Sequence, residues 1–163
     1  MPTPPALGGN HTVLPLPFKP ASLNGLSERM IVSHHEKNYG GAVKNLNRAE
    51  QELSRVTSDT PPFVVAALRE RELTFRNSKT LHEAYFANLG GDGKRSGTIE
   101  TTLAEAYGST AAWESQVRAS ALGLGGGSGW VILDLNFAVG DLRIYGTSGH
   151  NQAVAFGQPL LVL

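Results

Sequence analysis

Gly129-Trp130-Val131-Ile132-Leu133-Asp134-Leu135, followed across Asn136–Asp141 by Leu142-Arg143-Ile144-Tyr145, is the stretch that decides the fold. Both runs are short, rich in β-branched and aromatic residues, and bounded by glycine or turn formers. They predict consecutive antiparallel strands at Trp130–Leu135 and Leu142–Tyr145. Pro159-Leu160-Leu161-Val162-Leu163 reads as a third, buried strand. The three together predict a small meander. Because no cap, turn or polar tail follows Leu163, the expectation is a strand cut off at the C-terminus, since a buried terminus would carry an unpaired carboxylate.

Upstream of the strands the pattern is helical. Thr98–Tyr107 and Ser109–Leu122 predict two short helices, with Gly108 in the left-handed position closing the first and Ser109 capping the second. Leu124–Gly129 is a glycine-rich turn. Further back, Phe63–Leu89 predicts a long helix interrupted near Asn77-Ser78, and Gly90-Gly91-Asp92-Gly93 ends it. His82, Tyr85, Phe86 and Leu89 fall at i, i+3, i+4 and i+7, on one face. Thr57–Pro62 separates this helix from an earlier one. That first helix starts at Ser27, with Glu28 in its first turn and Leu26 and Ile31 at staple spacing. It runs through Met30, Ile31, His34, Tyr39, Ala42, Val43 and Leu46. Gly40-Gly41 inside it costs about 1 kcal/mol per glycine, so either a close helix crossing or access to a site should favour small residues there. Residues 1 to about 20, rich in Pro and Gly, predict an extended arm. Helices first and strands afterwards make the chain α+β: a helical hairpin, then an α/β domain with a three-stranded antiparallel sheet. The expected domains are 1–92, arm and hairpin, and 93–163, the α/β part.

Bulk composition removes several function classes. At 163 residues, with 14 basic and 14 acidic side chains, there is no basic field for nucleic acid. Cysteine is absent, so thiolate sites, disulfides and cysteine nucleophiles are excluded, and any metal must be held by His, Asp or Glu. No run approaches the apolar length of about 18 residues that spans a bilayer. The start, Met1-Pro2-Thr3-Pro4-Pro5, lacks a basic region before an apolar one, so the cytoplasm is the expected location.

Among candidate sites, Gly125-Gly126-Gly127-Ser128-Gly129 precedes a strand and is not followed by Lys-Ser/Thr or a helix start, so a phosphate loop fails on context. A hydrolase triad from Ser128, His150 and Asp134 lacks the strand-to-helix elbow that such a serine needs. His34 and His82 are different. Each lies on a helix face otherwise apolar or aromatic, where an imidazole without a partner is costly. A shared metal ion would supply one, with further ligands from elsewhere. His34 and His35 are neighbours pointing about 100° apart on a helix, so they do not easily serve one ion. A zinc hydrolase reading fails because Phe86 stands where the second His of H-E-x-x-H would be.

Taken in order, these motifs resemble those of the iron/manganese superoxide dismutases. Ser33-His34-His35-Glu36-Lys37-Asn38 through Val43-Lys44-Asn45-Leu46-Asn47 resembles the family's first ligand helix, and His82-Glu83-Ala84-Tyr85-Phe86 its second ligand motif. Ala106-Tyr107-Gly108-Ser109, Trp113 and Gly127-Ser128-Gly129-Trp130 resemble its helix break and strand entry. Pro159–Leu163 is similar to the strand leading into its Asp-x-x-x-His ligand pair. The resemblance covers nearly the whole chain after about residue 14. It implies superoxide disproportionation by one Fe or Mn ion per subunit, alternating between trivalent and divalent states. His34 and His82 are implied as ligands, and the Asp and third His as lying just past Leu163. Trp130 is implied as a wall of the active site. His150, with Gln152 as fallback, is implied as the partner of the metal-bound solvent. A homodimer of the full-length protein is implied too. The departures are Ala42 at the gateway tyrosine position, with Tyr39 one turn earlier, Asn38 for a His, Phe86 for a Trp and Leu81 for an Asn. They bear on gating and proton supply, and motivate the alternative of a metal-free interaction module with the same fold.

Overall fold

The computed structural model describes residues 5–95, 97–126, 129–152 and 157–163. Gly127 and Ser128, which belong to the strand-entry motif and to the serine triad, lie outside the described residues, as do Met1–Pro4 of the arm. The chain forms two compact units, residues 1–83 and 84–163, with the division falling inside one long helix.

In the first unit, short 3₁₀ turns at Pro5–Leu7 and Pro20–Ser22 punctuate the arm. A continuous helical rod follows: α1 (Glu28–Ser33), a π-helical segment (His34–Tyr39) and α2 (Gly40–Leu53). Ser27 caps it as expected, its Oγ accepting from the Met30 amide at 3.2 Å. The π segment is not predicted by the hydrophobic pattern. It widens the helix so that the Gly40 amide reaches the His35 carbonyl five residues back, and such bulges recur at functional sites. Among the described residues a Cβ on Gly41 would meet nothing within 4 Å and one on Gly40 only the His35 carbonyl at 3.6 Å, so neither glycine serves a close crossing with them. Ile31, Tyr39, Ala42, Val43, Leu46, Ala49 and Leu53 form the buried stripe of this rod.

α3 (Pro62–Ala87) is unbroken. The expected interruption at Asn77-Ser78 does not occur. Ser78 is buried, and a serine pointing inward costs the helix little when its backbone ladder is intact.

The second unit carries α4 (Thr98–Tyr107) and α5 (Thr110–Gly123). Gly108 has φ 82°, the left-handed closure expected of it, and Ser109 Oγ accepts from Ala112 N at 3.0 Å. The sheet is antiparallel and three-stranded: β1 (Trp130–Asn136), β2 (Asp141–Thr147) and β3 (Gly157–Val162). Its order is β2-β1-β3, so it is not a meander: β3 pairs with β1, not β2. The reason lies in β1, whose first five residues are all buried. A strand apolar on both faces takes the centre, and edge positions go to the others. Pro159, which lacks an amide hydrogen, sits on the edge strand beside a register shift at Leu133/Asp134. One face of the sheet packs Val131, Leu133 and Leu142 against Leu103, Trp113 and Val117 of the helices. The pleat turns Trp130, Ile132 and Asp134 to the other.

Candidate metal centre

His34 projects from the π segment and His82 from the last third of α3. Their Nε2 atoms stand 3.0 Å apart, with the rings edge to face at a centroid distance of 4.9 Å. His82 is buried, and its Nδ1 lies 2.6 Å from the Ser78 carbonyl. A carbonyl only accepts, so the proton sits on Nδ1 and the Nε2 lone pair points at His34. Burial lowers the His34 pKa below its ordinary value, favouring the neutral ring that a metal requires. His35 is turned elsewhere. Its Nε2–H donates to the Leu14 carbonyl of the arm at 2.9 Å, in accord with the angular argument against its sharing an ion with His34.

Two Nε2 atoms at a coordination distance of about 2.1 Å from one ion, subtending about a right angle, sit about 3 Å apart. The observed separation fits one side of such a site. Two neutral imidazoles and no thiolate suit a nitrogen/oxygen sphere. Further donors are required, because among the described residues no group of three or more His, Asp or Glu gathers.

Tyr39 is buried beside this pair. Its ring lies 6.2 Å from that of His82 at 26°, and its hydroxyl donates to Glu83 Oε1 at 2.7 Å while accepting from Leu14 N at 2.9 Å. Burial pushes its pKa up to about 12; the Leu14 amide pulls it down and the Glu83 carboxylate pushes it up. A cavity of about 450 Å³ opens along the same rod, lined by Ser27, Arg29, Met30, Ser33, His34 and Asn38.

Within the second unit, Trp130 and His150 are brought together: Trp130 Nε1–H donates to His150 Nδ1 at 2.9 Å. That leaves the His150 proton on Nε2, and burial lowers its pKa. Gln152 instead accepts from the Ser148 amide at 2.8 Å. Among the described residues Asp134 accepts no hydrogen bond, His150 included, which leaves the serine triad without an Asp–His link. Two residues that matter here escaped the sequence reading, Ser78 and Glu83. Each carried a signal: Ser78 lies one turn before His82, and Lys79 with Glu83 has the i,i+4 spacing of an ion pair.

Residues 95–163 match the profile of iron/manganese superoxide dismutases, C-terminal domain. Over 154 residues the chain is 42% identical to a superoxide dismutase (Fe) of Cupriavidus metallidurans, which covers 94% of this chain and 78% of that protein. It is 30% identical over 155 residues to superoxide dismutase (Mn) 2 of Haloferax volcanii, covering 91% and 75%. A superoxide dismutase (Fe) of Aquifex aeolicus is 29% identical over 165 residues, covering 95% and 76%. The chain belongs to the iron/manganese superoxide dismutase family. No helix among the described residues is long and apolar enough to cross a membrane.

Proposed function

We propose that this protein is a superoxide dismutase converting superoxide to hydrogen peroxide and oxygen, with one Fe or Mn ion per subunit held in part by His34 and His82. The observation that carries the reading is the pair of Nε2 atoms from two separate helices, 3.0 Å apart. The names of the relatives, iron and manganese superoxide dismutases, support both the reaction and the choice of metals. Two imidazoles need further nitrogen or oxygen donors to complete the sphere of such an ion. When bound, the ion supplies reversible one-electron exchange with superoxide. The chain's own residues prepare for it: the Ser78 carbonyl fixes the His82 tautomer, and burial lowers the His34 pKa, favouring its neutral ring. Trp130 orients His150 by donating to Nδ1, so that His150 presents an Nε2–H donor for proton supply. The family resemblance implies a homodimer in the cytoplasm as the working form.

The test is elemental analysis of the natural protein purified from cells, joined to an assay of superoxide removal. Bound Fe or Mn with activity is expected, and His34→Ala should lose the metal. Metal content unchanged in His34→Ala would overturn the ligand assignment. A well-folded wild type that takes up neither ion would favour the metal-free interaction module.

A further inference from the structure

Helix-to-helix ligand pairs need something to hold the helices in register, and a single contact between neutral imidazoles contributes only about 1 kcal/mol. We infer that Tyr39 and Glu83 form a clamp that sets the facing of His34 and His82, with the arm at Leu14 as its third member. This rests on the reading that the two histidines share an ion. Glu83 directly follows His82 in α3, and Tyr39 closes the π segment that His34 opens. The Tyr39 hydroxyl therefore joins the two ligand helices one residue from one ligand and five from the other, at 2.7 Å to Glu83 Oε1. A phenol donating to a carboxylate is among the stronger neutral-to-charged hydrogen bonds. Lys79 Nζ holds the other oxygen, Oε2, at 2.9 Å from the preceding turn of α3, so the carboxylate has a fixed orientation.

The arm completes the arrangement. The Leu14 amide donates to the Tyr39 hydroxyl at 2.9 Å, and the Leu14 carbonyl accepts from His35 Nε2 at 2.9 Å. One residue of the arm thus grips both the clamp tyrosine and the neighbour of the first ligand. Stacked at 26° on His82, the Tyr39 ring also limits rotation of that imidazole. Tyr39 is only 1% exposed, so its hydroxyl is spent on this network and does not line an entrance. That separates it from the gateway role suggested by its place one turn before Ala42. Tyr39 and Glu83 act through the ligands, as positioning residues.

Tyr39→Phe keeps the ring and deletes the clamp. Glu83→Gln keeps an acceptor for the phenol. Both variants are made in the natural protein and compared with wild type in two ways. Imidazole ¹⁵N–¹H spectra of the metal-free protein report the hydrogen bond between His34 and His82. Titration with Mn(II) reports affinity. The expected result is loss of the imidazole pairing signal in Tyr39→Phe and its retention in Glu83→Gln, with Mn(II) affinity about tenfold weaker in Tyr39→Phe. An unchanged pairing signal in Tyr39→Phe overturns the clamp, and so does a lowered melting temperature with unchanged Mn(II) affinity. A wild type that binds no Mn(II) refutes the shared-ion reading instead, and the imidazole spectra still decide whether the clamp exists.

Discussion

Glu50 in the first unit and Asp134 in the second are both shut away from water, at 2% and 0% exposure, yet their surroundings differ completely. Glu50 receives Gly9 N at 2.9 Å on one oxygen, and His11 Nε2 at 2.9 Å and Arg76 Nη2 at 2.6 Å on the other. Among the described residues neither oxygen of Asp134 has a hydrogen-bond partner. Arg143 stands directly opposite Asp134 in the sheet but is committed to Asp141. Burial alone would raise both pKa values. For Glu50 the donors and the Arg76 charge outweigh it and hold the carboxyl below its ordinary value; for Asp134 burial stands unopposed and pushes the carboxyl up. Depth is the same in the two units; what differs is the donor set, and that decides whether a buried acid stabilises or costs.

The largest effect should come from the satisfied site. Glu50→Ala strands the Gly9 amide and His11 and releases the arm from α2, where Asn47 also exchanges two hydrogen bonds with His11. Removing a buried carboxylate that accepts three hydrogen bonds, two of them from partly exposed side chains, costs about 2–4 kcal/mol. Urea denaturation measures it, and a cost below about 1 kcal/mol would show that the arm contributes nothing through Glu50.

At the unsatisfied site the next effect is steric. A Cβ on Gly157 would fall 2.6 Å from Asp134 Cγ and closer still to both carboxylate oxygens. Gly157→Ala should therefore destabilise by about 1–3 kcal/mol. Combining it with Asp134→Ala, which vacates the space, should recover most of that loss. Simple additivity of the two would break the claim that they collide.

The sign of the pH dependence sharpens the comparison further. Asp134 has a folded pKa above its unfolded value, so the folded state holds the extra proton between the two. Its effect is destabilising above that window and vanishes as pH falls to about 3.8. Glu50 has a folded pKa below its unfolded value. Its stabilisation is full above about 4.5 and is lost as pH falls through the folded value. Asp134→Ala should thus gain about 1–2 kcal/mol at pH 7, net of the small cavity it leaves, with the gain shrinking toward pH 4. Glu50→Gln should flatten the acid limb. Parallel pH profiles for the two variants would contradict the opposed signs.

How far these features were legible follows from how local their causes are. Ser27, Gly108 and Ser109 act on their own helix ends, and the sequence located all three because capping needs only neighbours within a few residues. The helix face that carries His82 was also visible, since His82, Tyr85 and Phe86 repeat at helical spacing. The π segment was not, because its wider turn leaves the apolar stripe intact. Neither was the position of β3: its pairing with β1 runs from Asn136 with Gly157 to Ile132 with Val162, far apart in sequence, and no local pattern states which edge a strand joins. Asp134 was read only as one member of a paper triad. A lone acid in an apolar strand gives no sign of whether a partner waits across the sheet. Glu50 passed unnoticed among the charged residues of α2, since its donors come from the arm and from α3.

The smallest expected effect asks whether the two units also differ in how much they depend on their caps. Ser27 and Ser109 make the same bond, at 3.2 and 3.0 Å, and each should cost about 1 kcal/mol when changed to Ala if the helix stood alone. The rod beginning at Glu28 is pinned further along by the Glu50 network, the Tyr39–Glu83 bond and the His34–His82 pair. Fraying of its first turn leaves those contacts in place. Both first turns bury their fourth residue, Ile31 and Trp113, so fraying removes core contacts in each, but α5 is only 14 residues long and has less helix beyond that turn to hold it than the rod running on to Leu53. Ser109→Ala should accordingly cost more than Ser27→Ala, by a few tenths of a kcal/mol or more. Hydrogen exchange at the first-turn amides of each helix, alongside the two melting curves, measures the difference. Equal losses would mean that the Glu50 network does not extend its hold to the start of the rod that carries His34.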